Sequence, residues 1–117
     1  DMAFVNGIEP FDPNALPMGS TDVGDVSFTV PTAGMGAATW VPGTPAHSWQ
    51  AVATGGTSIG NKGMLVAAKT LALTAFKLLD NPKIMEEAHT EFLEKGGADF
   101  KYIPLLGDRS PALDYRN

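Results

Sequence analysis

Two groups of side chains in this sequence could do chemistry, and the first is the imidazole of His47. It lies in the Pro- and Gly-framed segment Gly43-Thr44-Pro45-Ala46-His47-Ser48. A neutral imidazole is a common ligand for zinc and similar ions, and loops after strands often carry such ligands. A metal site needs three or four ligands, and no second histidine stands at a useful spacing. On residue chemistry alone we therefore favour a histidine that only hydrogen-bonds its surroundings.

The second group is the loop Gly19-Ser20-Thr21-Asp22, which Asp25 follows three residues later. Backbone N–H groups and two hydroxyls in such a loop can hold the carboxylate of a substrate. The same residues also suit a turn in which the hydroxyls and the Asp22 carboxylate bond to their own backbone. The residue types do not choose between these two interpretations.

Three further candidates have plainer structural explanations. His89 stands among glutamates on an amphipathic helix, which is typical of a solvent-facing side chain. The stretch Gly55–Gly63 is similar to a phosphate-binding loop, but Asn61 interrupts the required spacing, so we reject nucleotide binding. Trp40 and Trp49 flank the loop histidine, and we favour core or wall positions for them over a role in lining a pocket.

The composition of the chain argues against several classes of partner and of functional site. The chain has 117 residues, enough for one domain or less, and its 44% hydrophobic and 18% charged content is near globular averages. A net charge of −5 without any basic cluster argues against nucleic-acid and anionic-membrane partners. The absence of cysteine excludes disulfides, a thiolate nucleophile and cysteine metal ligands, and it is compatible with the cytoplasmic location that we predict.

The start of the chain suggests a piece of a larger protein. The N-terminus lacks the basic and apolar regions of a signal peptide. The run Met64–Leu79 is interrupted by lysine and threonine and is shorter than the ~20 residues that a membrane span needs. Because the sequence opens in mid-pattern without methionine, we expect a fragment.

Two short strands and two helices are predicted around the candidate loops. Residues 26–30 alternate apolar and polar side chains, and residues 37–41 are rich in β-formers, so both are predicted strands. A helix is predicted at about 58–79 with Thr57 or Ser58 as its N-cap, and a second at about 82–95 that starts at a proline. The first helix is apolar nearly all round, which indicates burial against more surface than this chain offers.

The remaining segments complete the predicted organisation. Three prolines make residues 1–18 an irregular lead-in, and residues 108–117 are predicted to be a tail. Residues 19–107 are predicted to belong to one folded domain. Within it, residues 49–53 are either extended or the start of a turn.

The joint spacing of three motifs resembles a known family. The motifs are Gly19-Ser20-Thr21-Asp22-Val23-Gly24-Asp25-Val26-Ser27, then Thr39-Trp40-Val41-Pro42-Gly43-Thr44-Pro45-Ala46-His47-Ser48-Trp49-Gln50, then Gly60-Asn61-Lys62-Gly63-Met64. Together they resemble the C-terminal part of amidohydrolases of the aminobenzoyl-glutamate utilisation protein B type, which belong to the aminoacylase/carboxypeptidase family of dinuclear metallopeptidases. The resemblance covers about residues 19–80.

The resemblance implies a fold and an activity. Residues 19–107 would be the C-terminal part of the metallopeptidase catalytic domain. The fold would be α/β, a fragment of a mixed-sheet domain similar to that of zinc exopeptidases. The intact protein would be a homodimer holding two divalent ions, zinc or manganese. It would hydrolyse the amide bond of acyl-amino acids such as aminobenzoyl-glutamate, or of dipeptides, with a metal-activated water. The segment would be inert without the missing N-terminal part of the same protein.

The resemblance also assigns residues, which reverses the first interpretation of His47. His47 matches the family's last metal ligand. Gly19, Ser20 and Thr21 match the loop that binds substrate, and Asp22 would shape that loop. The family's catalytic glutamate has no counterpart here, so no catalytic residue is predicted in this segment. The alternative that the residues leave open is a small, non-catalytic α/β interaction or ligand-binding module.

Overall fold

The described secondary structure of the protein is entirely helical. A computed structural model describes residues 7–13, 15 and 21–114. They form four helices and no strand, so the predicted α/β mixed sheet is wrong. The helices are α1 (Val23–Ser27), α2 (Trp49–Gly55), α3 (Ser58–Asp80) and α4 (Pro82–Gly96).

The predicted strand at 26–30 is instead the end of α1 and the turn that follows it. The Ser27 hydroxyl donates to the Gly24 carbonyl at 2.8 Å, and the Thr29 hydroxyl donates to the Val26 carbonyl at 2.9 Å. Hydroxyl side chains that bond to the preceding turn compete with the extended backbone of a strand. Five alternating residues do not form a strand when no neighbouring strand pairs with them.

The predicted strand at 37–41 is an unpaired segment that packs on α3. A Cβ atom added to Gly63 would overlap the carbonyl oxygen of Ala38 and would lie 2.8 Å from the Thr39 Cγ2. Gly63 is buried, so the absence of a side chain lets the two backbones touch. This segment therefore packs its backbone on a helix and not on a sheet.

Both predicted helices are present. Thr57 is the N-cap of α3, where its hydroxyl oxygen accepts from the Ile59 amide at 3.3 Å, and α4 begins at Pro82 as predicted. The start of α2 was not predicted, although Ser48, its N-cap, is a residue type that commonly begins a helix. The Ser48 hydroxyl oxygen accepts from the Ala51 amide at 3.2 Å, which satisfies one of the free N–H groups of the first turn.

The contacts divide the chain into two units. The first contains the described residues of Asp1–Met18 together with Ala33–Met85, and in it α2 packs on α3. The second contains the described residues of Gly19–Thr32 and Glu86–Asn117. In the second unit the ring of Phe28 lies 6.0 Å from that of Phe100 and stacks at 5.6 Å on that of Tyr102.

The apolar side chains of the helices are largely in solvent. Ala51 is the one hydrophobic residue that is buried in the described part of the chain. In α3, seven large apolar side chains are more than half exposed: Met64, Leu65, Val66, Leu71, Leu73, Phe76 and Leu79. The described residues therefore contain no hydrophobic core that could account for a stable fold. None of the described helices has the length and hydropathy needed to cross a bilayer.

Candidate functional site

The loop that carries His47 is held at both ends by short hydrogen bonds. At its start, the Thr44 hydroxyl donates to the Val41 carbonyl at 2.7 Å. At its end, the Ser48 hydroxyl donates to the Pro45 carbonyl at 2.6 Å while it caps α2. The serine therefore joins the loop to the helix, and the histidine lies between these two anchored points.

His47 has an unusual backbone. Its φ is 57°, which makes it the one non-glycine residue with a positive φ in the described part of the chain. This left-handed conformation costs an L-residue free energy, and histidine is among the residues that tolerate it best. Such outliers cluster at binding and catalytic sites, where a side chain must point in a set direction. The sequence gives no sign of this feature.

His47 lines a shallow, open pocket with both tryptophans. The walls are formed by Trp40, Ala46, His47, Ser48, Trp49, Ala51 and Val52. Trp49 is 75% exposed and Trp40 is 40% exposed. The sequence favoured core or wall positions for these tryptophans over a role in lining a pocket, and the structure places both in the wall of this pocket.

The described residues hold no complete metal centre. They contain no group of three or more His, Asp or Glu side chains that could bind one ion. His47 is exposed in its pocket, so its imidazole can act as a ligand, but only as one of the three or four that a metal site needs. The imidazole of His47 could therefore fill one ligand position of a metal site and no more.

The predicted substrate loop is described only in part. Gly19 and Ser20 lie outside the described residues. The Thr21 hydroxyl oxygen accepts from the Val23 amide at 3.3 Å, and Thr21 and Asp22 supply the backbone carbonyls that begin α1. Asp22 is the N-cap of α1, but its carboxylate makes no capping hydrogen bond. This loop and His47 belong to different units.

A contact beside α1 was not predicted from the sequence. The Tyr102 hydroxyl donates to the Asp25 carboxylate. This hydrogen bond, with smaller effects of burial and of the negative charge, raises the pKa of Tyr102 above its usual value. The alternation of Phe100 and Tyr102 could have indicated an aromatic face, but nothing in the sequence indicates which residues such a face meets.

The remaining candidates keep their structural explanations. The ring of His89 lies 6.4 Å from that of Phe92, one turn further along α4. In the glycine-rich stretch, a Cβ atom on Gly60 would overlap the carbonyl of Gly55, so the glycine serves the close approach of α2 and α3. Neither feature indicates a ligand.

The comparisons with known proteins identify the family. No family model matches the chain, and no solved structure matches it. A curated protein from Escherichia coli (strain K12), a subunit of p-aminobenzoyl-glutamate hydrolase, is 47% identical over 93 residues. The match covers 80% of this chain and 19% of that protein, so the chain spans about a fifth of the length of the relative. The resemblance predicted from the three motifs is confirmed, and the chain belongs, over its matched residues, to the family of this p-aminobenzoyl-glutamate hydrolase.

Proposed function

We propose that this chain is the part of a metal-dependent amidohydrolase that supplies one metal ligand, His47, and one substrate-binding loop. The substrate would be an acyl-amino acid of the aminobenzoyl-glutamate type. The left-handed backbone of His47 carries the proposal, because it holds an exposed imidazole at a pocket in a chain related to a hydrolase subunit.

The proposed chemistry is hydrolysis of an amide bond. Two divalent ions, zinc or manganese, would activate the water and polarise the amide carbonyl when bound. The part of His47 is to hold one ion through its imidazole. The other ligands and the general base would come from outside the described residues, so this segment alone would be inert.

The loop at Thr21 would bind the carboxylate end of the substrate. A hydroxyl has one donor and two acceptor positions. The Thr21 hydroxyl uses an acceptor position for the Val23 amide, so its donor can serve a carboxylate, beside Gly19 and Ser20. Asp22 would shape the loop through its backbone at the start of α1.

The proposed partners are further polypeptide of the same protein and a second copy of it. The relative is named a subunit, and the large apolar side chains of α3 are exposed in the described residues. Burial of that surface against the rest of the protein would supply the missing core. The homodimer and the identity of the metal stay predictions from the resemblance, and the cytoplasmic location stays a prediction from the sequence.

The test is an assay of the complete protein with p-aminobenzoyl-glutamate, with and without a chelator. We expect release of p-aminobenzoate that is lost on chelation and restored by zinc or manganese. In His47→Ala, the bound metal and the activity should fall together, while His89→Ala should change neither. Full metal occupancy in His47→Ala, measured by elemental analysis, would rule out the ligand role.

A further inference from the structure

The pocket at His47 is apolar except at two residues. Ser48 uses its hydroxyl for the Pro45 carbonyl and the Ala51 amide, so it offers little to a ligand. Alanine, valine and indole side chains form the rest of the wall. A ligand that enters this pocket would therefore meet a flat, apolar surface with one imidazole beside it.

Two of the side chains that form this surface are indoles. Trp49 stands two residues after His47 and is 75% exposed, and Trp40 is 40% exposed. Indole rings prefer offset-stacked or edge-to-face contact with other aromatic rings, which stabilises a pair beyond the burial of area. An exposed pair of tryptophans in one pocket is therefore suited to a planar aromatic group.

The chemistry of an aromatic amide explains why such a wall would lie beside a metal ligand. In a benzoyl amide the ring is bonded directly to the carbonyl carbon that water attacks. A site for the ring must therefore adjoin the group that acts on the carbonyl. The name of the relative specifies an acyl group of this kind, p-aminobenzoyl.

We propose that Trp40 and Trp49 bind the aryl ring of the acyl group and so determine the preference of the enzyme for aromatic over aliphatic acyl-amino acids. This inference rests on the proposed function, because it takes His47 as the group nearest the amide. The pocket that holds both indoles and His47 carries it.

The test compares two substrates in the complete protein, p-aminobenzoyl-glutamate and acetyl-glutamate. They share the amide and the glutamate, and a methyl group replaces the ring in the second. In Trp49→Ala, we expect KM for the aromatic substrate to rise about tenfold, because a stacked aromatic contact is lost, with little change for acetyl-glutamate. Trp49→Phe should retain most of the preference. Trp40→Ala should act in the same direction.

Phe11→Ala is the matched control, because Phe11 is an exposed aromatic residue of the same unit that lies outside α3 and does not line the pocket. It should leave the ratio of the two KM values unchanged. An equal loss on both substrates in Trp49→Ala would overturn the inference, since the indole would then act only as a structural wall.

Binding of benzoate, followed by quenching of tryptophan fluorescence, separates this inference from the proposed function. If the unaltered protein hydrolyses neither substrate, the proposed function fails. The quenching still shows whether the two tryptophans bind an aryl ring. Saturable quenching that Trp49→Ala weakens supports the aryl site. Absence of saturable quenching overturns it.

Discussion

The hydroxyl of Tyr102 donates a hydrogen bond to the carboxylate of Asp25, 77 residues earlier in the chain. Phe28 stacks on the same tyrosine ring. The two contacts bind the segment after α4 to α1, which directly follows the loop at Thr21. These two contacts therefore hold together the two stretches of sequence that make up the second unit.

The titration of Tyr102 tests this contact. Because the neutral phenol donates to Asp25, we expect Tyr102 to ionise above its ordinary pKa of about 10. Asp25→Ala should return the pKa toward that value. The raised pKa means that the contribution of the contact to stability is present below pH ~10 and is lost as pH rises through the raised pKa.

The measurement is the ultraviolet absorbance of the phenolate in a Tyr115→Phe background, because the chain has two tyrosines and this change leaves only Tyr102. A complete protein with further tyrosines needs the difference spectrum against Tyr102→Phe. Identical titration curves with and without Asp25→Ala would contradict the hydrogen bond.

The left-handed backbone of His47 predicts that substitutions at this residue affect the stability of the protein and its metal binding differently. In His47→Gly, the imidazole is lost but the strain at a φ of 57° is relieved, so the free energy of unfolding of the metal-free protein should rise by about 1 kcal/mol. His47→Ala keeps the strain and should show no such gain. Both variants should lose metal. Thermal unfolding and elemental analysis of the two proteins check this, and equal stability of the two variants would argue against the strained conformation.

The contact between Gly63 and the segment at Ala38 predicts a destabilising substitution. Gly63→Ala gains about 1 kcal/mol of helix propensity, but its Cβ would overlap the backbone oxygen of Ala38. Overpacking against backbone costs about 1–3 kcal/mol, so we expect a net loss of stability. The measurement is the thermal unfolding temperature of the complete protein.

Gly36→Ala is the control for that substitution, because a Cβ atom at Gly36 meets nothing within 4 Å. It should leave the unfolding temperature nearly unchanged. A Gly63→Ala variant as stable as Gly36→Ala would show that α3 and the segment at Ala38 do not touch.

The exposed side chains of α3 predict the behaviour of the 117-residue chain on its own. Large exposed apolar surfaces associate in water, so we expect aggregation or self-association of this chain. Size-exclusion chromatography with light scattering measures this directly. A monodisperse monomer that melts cooperatively would contradict the prediction.

The sequence predicted the long helices well because their signals are local. Thr57 before α3 and Pro82 at the start of α4 mark helix ends through their own backbone chemistry. The strand prediction at 26–30 failed because a five-residue alternation does not specify a partner, and Ser27 and Thr29 bonded to their own turn. Local patterns therefore predicted elements that are stable by themselves and not the one that needed pairing.

The local geometry around the candidate residues was not predictable from the sequence. The spacing of the motifs indicated His47, and the tryptophans were noted for their position beside it. The left-handed backbone of His47 and the pairing of Tyr102 with Asp25 depend on tertiary contacts, which no local spacing records.

The apolar face of α3 also affects how long this segment would survive in a cell. A helix with so many exposed apolar side chains is a substrate for chaperones and proteases until another surface covers it. The amount of this segment would then follow the supply of whatever covers α3, because uncovered copies are degraded. Degradation of uncovered copies would then keep the amount of this segment equal to the amount of the polypeptide that covers α3, without a dedicated regulator. A pulse-chase of the segment expressed alone should show rapid decay.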